Sequence, residues 1–191
     1  MAALWILMLG VTVFMDVAAG LHLKTICSEN VMFRSKNLPN YSMRVTYGGK
    51  GYIIATNPVT QKKLEEEDPN INMWALESPG LTGVSGTVSL AWKGKPGFYL
   101  RHINGLLQID SKDAPANPDF FLKDATFIYK KDWVFPGYDA FQSSNYPRQF
   151  IRHQNFRLKL QTYDGSSLFK NDASFKKVLG KEQCEKVPAP V

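Results

Sequence analysis

The chain repeats itself. Pro147-Arg148-Gln149-Phe150-Ile151-Arg152-His153-Gln154-Asn155 has a copy fifty-one residues earlier, Pro96-Gly97-Phe98-Tyr99-Leu100-Arg101-His102-Ile103-Asn104. Pro, an aromatic, an aliphatic, Arg, His and Asn agree in register. A second motif follows each copy: Phe121-Leu122-Lys123-Asp124-Ala125-Thr126-Phe127, then Leu168-Phe169-Lys170-Asn171-Asp172-Ala173-Ser174-Phe175. The spacing from His to Asp is a little longer in the first pair, which fits a loop insertion at Ala114-Pro115-Ala116-Asn117-Pro118. A weaker third copy stands earlier. Phe33-Arg34-Ser35-Lys36-Asn37-Leu38-Pro39 parallels Phe141-Gln142-Ser143-Ser144-Asn145-Tyr146-Pro147, and Arg44 and Arg152 each follow five residues after the Pro. That copy then departs, with Val45 where the others have His. In this region Asn70 to Leu76 is the counterpart of the second motif, without its Asp-Ala-Thr-Phe.

Units of this size cannot each bury an apolar face alone, so they must share one core. Their local pattern is that of strands. Phe98, Leu100 and His102 fall on one face and Tyr99 and Arg101 on the other. Leu158-Lys159-Leu160 and Thr126-Phe127-Ile128-Tyr129 read similarly, and no stretch carries a helical period. Gly48-Gly49, Asn104-Gly105, Pro136-Gly137 and Asp164-Gly165 mark turns. With 12 Phe, 8 Tyr, 14 Gly and 11 Pro, the composition suits short strands and many turns. Closing three β-rich units around an axis removes most open sheet edges. The expectation is an all-β chain, a β-trefoil of three repeats with pseudo-threefold symmetry. It forms a single domain over 21–191, with repeats at approximately 26–80, 81–132 and 133–184. A three-bladed propeller falls below the usual blade number.

The first twenty residues read as a secretory signal peptide (1–20). Leu4 to Met15 is an apolar run, Asp16 ends it, and Ala18-Ala19-Gly20 offers a cleavage site after Gly20. The run is too short to span a bilayer comfortably, and no second such segment exists, so no membrane span is expected. Secretion in turn makes a disulfide between Cys27 and Cys184 the natural reading. Closing so long a loop would remove on the order of 5 kcal/mol of unfolded-state entropy, and the two ends must meet. Asn40-Tyr41-Ser42 is a glycosylation sequon beside Pro39. Losing Asp16 with the leader raises the formal charge from +6 to +7. The basic residues are scattered, so nucleic acid is not an expected partner and the charge serves solubility. The acidic run Glu65-Glu66-Glu67-Asp68 lacks the spaced ligands and Gly of a calcium loop and reads as a solvated loop.

The Tyr99-Leu100-Arg101-His102 motif, the Asp124-Ala125-Thr126-Phe127 motif and the segment Phe141 to Arg157 resemble one known family. So do the Asp164 to Phe169 and Asp172 to Phe175 stretches that follow. The family is the arabinofuranose-binding domain of α-L-arabinofuranosidase B enzymes, a β-trefoil carbohydrate-binding module (family 42). The resemblance runs from about Ile26 to Val178 and is weakest in the first repeat. It implies one sugar pocket with His102 and Asp124, another with His153 and Asp172, both open to solvent, and none in the first repeat. Ser174 in place of Thr126 keeps the hydroxyl. These residue types suit the task. A carboxylate accepts from sugar hydroxyls with charge-assisted strength, a neutral imidazole offers one donor and one acceptor, and a ring face meets sugar C–H groups. The alternative for the same residues is a buried hydrogen-bonded pair that holds turns together. Arg101 and Arg152 read as structural, because Arg44 persists where the His is gone. Asn104 and Asn155 read as turn formers, and Trp74, Trp92 and Trp133 as packing.

The expected protein is therefore secreted, non-catalytic and lectin-like, with two weak sites for an extracellular or cell-surface glycan and no cofactor or metal. The catalytic part that accompanies this domain in the family has no counterpart in the chain. The competing reading is a scaffold for an extracellular protein partner, a receptor ligand or inhibitor, using an irregular insertion such as Asn57 to Val84. Catalysis is not expected. Two acids could hydrolyse a glycoside, but nothing places two together. There is no Gly-x-Ser-x-Gly motif and no metal-ligand spacing.

Overall fold

The computed structural model describes residues 7–8, 11–16, 23–28, 30–46, 48–55, 73–113, 115, 117–179 and 183–188. The expected cleavage site at 18–20, the acidic run 65–68 and most of the 57–84 insertion lie outside them.

The described chain is all-β apart from two short helices, and every strand pairing is antiparallel. Four strands come from the first part: β4 (Asn30–Ser35), β5 (Tyr41–Val45), β6 (Gly51–Ala55) and β7 (Trp74–Glu77). Four follow: β8 (Thr87–Trp92), β9 (Phe98–Ile103), β10 (Leu106–Ser111) and β11 (Phe127–Lys130). The last four are β12 (Ala140–Ser143), β13 (Gln149–Gln154), β14 (Arg157–Thr162) and β15 (Phe175–Leu179).

Their pairing recurs three times. The first strand of each set meets the second at Arg34↔Ser42, Ala91↔Tyr99 and Gln142↔Phe150. The fourth meets the first strand of the following set at Trp74↔Trp92, Phe127↔Ser143 and Phe175↔Ser35. β4, β7, β8, β11, β12 and β15 thereby form a ring. It is closed by reciprocal hydrogen bonds between Asp139 and Phe175, each 2.8 Å. Closure leaves these strands no unpaired edge.

The second and third strands of each set form hairpins that also pair with one another, at Arg157↔Tyr52, Leu106↔Lys159 and Lys50↔Gln108. Arg157 ties them together by donating from Nη1 to the carbonyls of Gly51 and, at 2.5 Å, Leu107. The turns need left-handed backbone. Asn104 (φ 49°) and Gly105 (φ 75°) supply it in one hairpin, and Asn155 (φ 51°) and Phe156 (φ 63°) in another. Both asparagines are thus turn formers, the side chain best suited to this region after glycine.

One apolar core lies among the strands. It includes Phe33, Phe127, Phe141 and Phe175, with Met43, Leu100 and Ile151 around them. Phe141 meets Phe33 edge-on at 4.9 Å. Each fully buried side chain of this kind contributes about 1.5–3 kcal/mol. Trp74 is core, Trp92 packs against it, and Trp133 stacks on Phe150 in a smaller cluster with Tyr163 and Phe169.

The two helices are a departure from the sequence reading. α1 (Pro118–Asp124) starts at Asn117, whose side chain accepts from Phe120 N, with Pro118 in the first turn. α2 (Ser167–Asp172) starts at Ser166, which accepts from Phe169 N. Both caps are ordinary helix-start signals, but the helices are too short to show a period. The supposed loop insertion thus leads into a helix whose last residue is Asp124.

Near the termini, β3 (Leu23–Ser28) pairs with β16 (Gln183–Pro188), and Cys184 stands opposite Cys27 in the register. β1 (Leu7–Met8) and β2 (Val11–Asp16) extend this four-stranded sheet in the order β1-β2-β3-β16. Cleavage after Gly20 would leave only the β3–β16 pair.

Candidate functional site

Each helix ends by delivering an aspartate to the Arg-His strand beside it. In the second set, Arg101 Nη2 donates to Asp124 Oδ2 at 3.1 Å, and His102 Nε2 lies 3.3 Å from Asp124 Oδ1. In the third, Arg152 Nη2 donates to Asp172 Oδ2 at 2.5 Å, and His153 Nε2 lies 3.6 Å from Asp172 Oδ1. Both His–Asp pairs named from the sequence are therefore brought together. The arginines grip the carboxylates from behind, over the rings of Phe121 and Phe169.

Neither pair is the open cup that was expected. His102 is 5% exposed, Asp124 8%, His153 5% and Asp172 5%. What stands in front of each is a residue from the following set, which sequence reasoning matched in register but gave no role. Asn37 Nδ2 donates to Asp172 Oδ1 at 2.6 Å, and its Oδ1 lies 2.8 Å from His153 Nε2. Asn145 Nδ2 donates to Asp124 Oδ1 at 2.8 Å, and its Oδ1 lies 3.2 Å from His102 Nε2. The buried hydroxyls of Ser35 and Ser143 donate to the same amide oxygens at 2.8 and 2.7 Å.

These contacts fix protons. A carboxylate only accepts, so the amide NH₂ must face it and the amide oxygen must face the imidazole. Nε2 of each histidine then carries the hydrogen. Burial pushes the His153 pKa below its ordinary value; Asp172 opposes this and Arg152 adds to it. His153 is thus a neutral donor. Asn37 is exposed and Asn145 half-buried, so each assembly meets solvent through an amide whose oxygen is fully engaged and whose second N–H hydrogen is available. Tyr146, 49% exposed, meets the His102 ring in a T-shaped contact with centroids 5.4 Å apart. The signal that could have revealed these residues was the Phe-x-Ser-x-Asn spacing shared by Phe33 and Phe141.

The third position is differently filled. Strand register equates Trp92 with Ser35 and Ser143, because Trp74↔Trp92 repeats Phe175↔Ser35 and Phe127↔Ser143. Gly94 then replaces the asparagine. A side chain there would strike the Trp92 ring, with Trp92 Cζ2 only 2.5 Å from the place of a Cβ. Val45, in place of the histidine, is part of the core. The polar assembly has been exchanged for apolar packing.

Among the described residues, no group of three His, Cys, Asp or Glu side chains could hold a metal. No described helix is long and apolar enough to cross a membrane.

The sequence model of the alpha-L-arabinofuranosidase B (ABFB) domain matches residues 33–177. Alpha-L-arabinofuranosidase B of Emericella nidulans is 30% identical over 97 residues, which is 48% of this chain and 18% of that protein. A probable alpha-L-arabinofuranosidase B of Aspergillus clavatus is 32% identical over 77 residues, 40% of this chain and 15% of that one. The chain thus spans less than a fifth of the length of these relatives. Among solved structures, an arabinofuranosidase complexed with arabinofuranosyl-α-1,2-xylobiose superimposes with a TM-score of 0.64 at 24% identity, covering 78% of this chain and 30% of that one. SeviL bound to asialo-GM1 saccharide superimposes at 0.54 with 5% identity, covering 79% of this chain and 97% of that one. The last two likenesses concern the fold; the match over 33–177 is one of sequence, and by it the chain belongs to the alpha-L-arabinofuranosidase B domain family.

Proposed function

We propose that this protein is a secreted, non-catalytic, lectin-like carbohydrate-binding protein built on a β-trefoil with pseudo-threefold symmetry. Two sugar sites sit in its second and third repeats. The observation that carries the reading is the duplicated assembly His102–Asp124–Asn145 and His153–Asp172–Asn37, each fronted by an amide, in a chain of this family. Sugar hydroxyls engage the amide and the edge of the aspartate, while the arginine and the imidazole hold those groups in place. Tyr146 supplies an apolar face at the first site. The threefold recurrence of strand pairing supports the trefoil, and the exchange of Ser, Asn and His for Trp92, Gly94 and Val45 supports two sites rather than three.

Arabinofuranose is the sugar the family resemblance suggests, displayed on an extracellular or cell-surface glycan. Single shallow sites of this kind bind weakly, and two on one chain gain avidity toward branched or repeated glycans. A glycan array comparing wild type with Asp124→Ala, Asp172→Ala and the double variant tests this. Each single variant should lose part of the signal and the double variant all of it. A folded double variant with an undiminished glycan profile would overturn the reading.

A further inference from the structure

The two assemblies differ in what lies beside them. An open depression of about 450 Å³ adjoins the His102–Asp124 assembly, and Asn145 lines both. That volume falls among small-ligand clefts, about 300–1,000 Å³. Its other walls include Val84, Thr87, Lys123 and Ser144. Val84 is 58% exposed, and Ser144 donates to the Lys123 carbonyl at 3.2 Å.

The corresponding place beside His153–Asp172 is occupied. The pairings Phe127↔Val88 and Phe175↔Asp139 equate Val84 with Phe135 and Thr87 with Tyr138. Position in the shared motifs equates Lys123 with Asn171 and Ser144 with Lys36. Lys36 Nζ lies over the Phe135 ring at 3.9 Å and the Tyr138 ring at 5.7 Å, and donates to Asn171 Oδ1 at 3.0 Å. A long cationic side chain clamped between two rings and an amide fills the space that a serine and a valine leave open in the other repeat.

We infer that the His102–Asp124 site is an extended one. It continues past Asn145 into this depression and takes the next sugar of an oligosaccharide, whereas the His153–Asp172 site, plugged by Lys36, takes a single terminal sugar. The depression has the chemistry for it. Val84 offers an apolar face to sugar C–H groups, and Lys123 and Ser144 bring an ammonium and a hydroxyl oxygen to its walls. The inference rests on the sugar-binding reading proposed above and adds a difference between the two sites.

Calorimetric titration with methyl α-L-arabinofuranoside and with arabinofuranosyl-α-1,2-xylobiose tests it. In Asp172→Ala, which keeps the second-repeat site, the trisaccharide should bind about tenfold tighter than the single sugar, a gain of about 1.4 kcal/mol. In Asp124→Ala, which keeps the third-repeat site, the two probes should bind alike. Val84→Phe with Lys123→Asn and Ser144→Lys, made in the otherwise wild-type chain, installs the lysine, the nearer ring and the amide of the third repeat's plug. That variant should bring the trisaccharide down to the affinity of the single sugar. Equal affinities for both probes in Asp172→Ala, or a trisaccharide gain that survives the plug, would overturn the inference while leaving sugar binding intact. Failure of the wild type to bind either probe would remove the sugar-binding reading itself, and the inference with it.

Discussion

Asn37 donates to Asp172 at 2.6 Å across a separation of 135 residues. The assembly that belongs by sequence to the last part of the chain is completed by the first. Asn145 does the same for Asp124 across 21 residues. Each site therefore straddles a boundary between repeats, and the Asn37 site exists only once the strand ring has closed through β4 and β15.

Asn37→Ala should weaken both fold and binding. It takes one buried contact each from Asp172, which keeps Arg152, and from His153 and Ser35, which keep each other at 3.0 Å, at a cost of about 1–3 kcal/mol. A merely exposed side chain would cost about 0.5 kcal/mol or less. Urea unfolding reads the difference, and the number of sugars bound per chain should fall from two to one.

Stability should depend on the protonation of His153. Burial holds its folded pKa below the ordinary value, so near pH 6.5 the unfolded chain binds protons that the native chain refuses. Stability is therefore fully present above about pH 6.5 and is lost as pH falls from there through the lower folded pKa. Nuclear magnetic resonance of the imidazole should give a midpoint below that of an ordinary histidine. Unfolding at about pH 7.5 and pH 5.5 should show a loss on acidification that His153→Gln reduces. A midpoint at or above the ordinary value would contradict the buried, neutral assignment.

Phe141→Ala should be among the costliest single changes. Its ring, on β12, packs with those of Phe33 on β4, Phe127 and Tyr129 on β11 and Phe175 on β15. The expected loss is about 3–5 kcal/mol, measured by denaturant unfolding.

Cys27 and Cys184 are partners in the backbone register of β3 and β16, which brings the two positions together as the expected disulfide requires. We expect the protein, secreted as proposed, to resist thiol alkylation until reduced. Reduction should then lower its stability by an amount approaching about 5 kcal/mol. Ready alkylation of both thiols in the native, unreduced protein would contradict the pairing.

The repeats made much of this legible. A period near fifty residues with alternating apolar positions pointed to strands sharing one core, and Arg-His with a later Asp named the two pairs that the fold unites. What stayed hidden had physical causes. α1 and α2 run less than two full turns, so no amphipathic period could announce them, and only the caps Asn117 and Ser166 do. The roles of Asn37 and Asn145 depend on contacts between one repeat and the next, which similarity between repeats cannot reveal. In the sequence the burial of His102 and His153 is only an alternative, because the residues that cover them come from a different repeat.

The most direct test is a crystal soaked with methyl α-L-arabinofuranoside. The account predicts two sugars per chain, one against Asn37 and Asp172 and one against Asn145 and Asp124, with none at Trp92 and Val45. A sugar bound elsewhere on the surface, with both aspartates still covered only by their asparagines, would show that these assemblies hold the fold together and bind nothing.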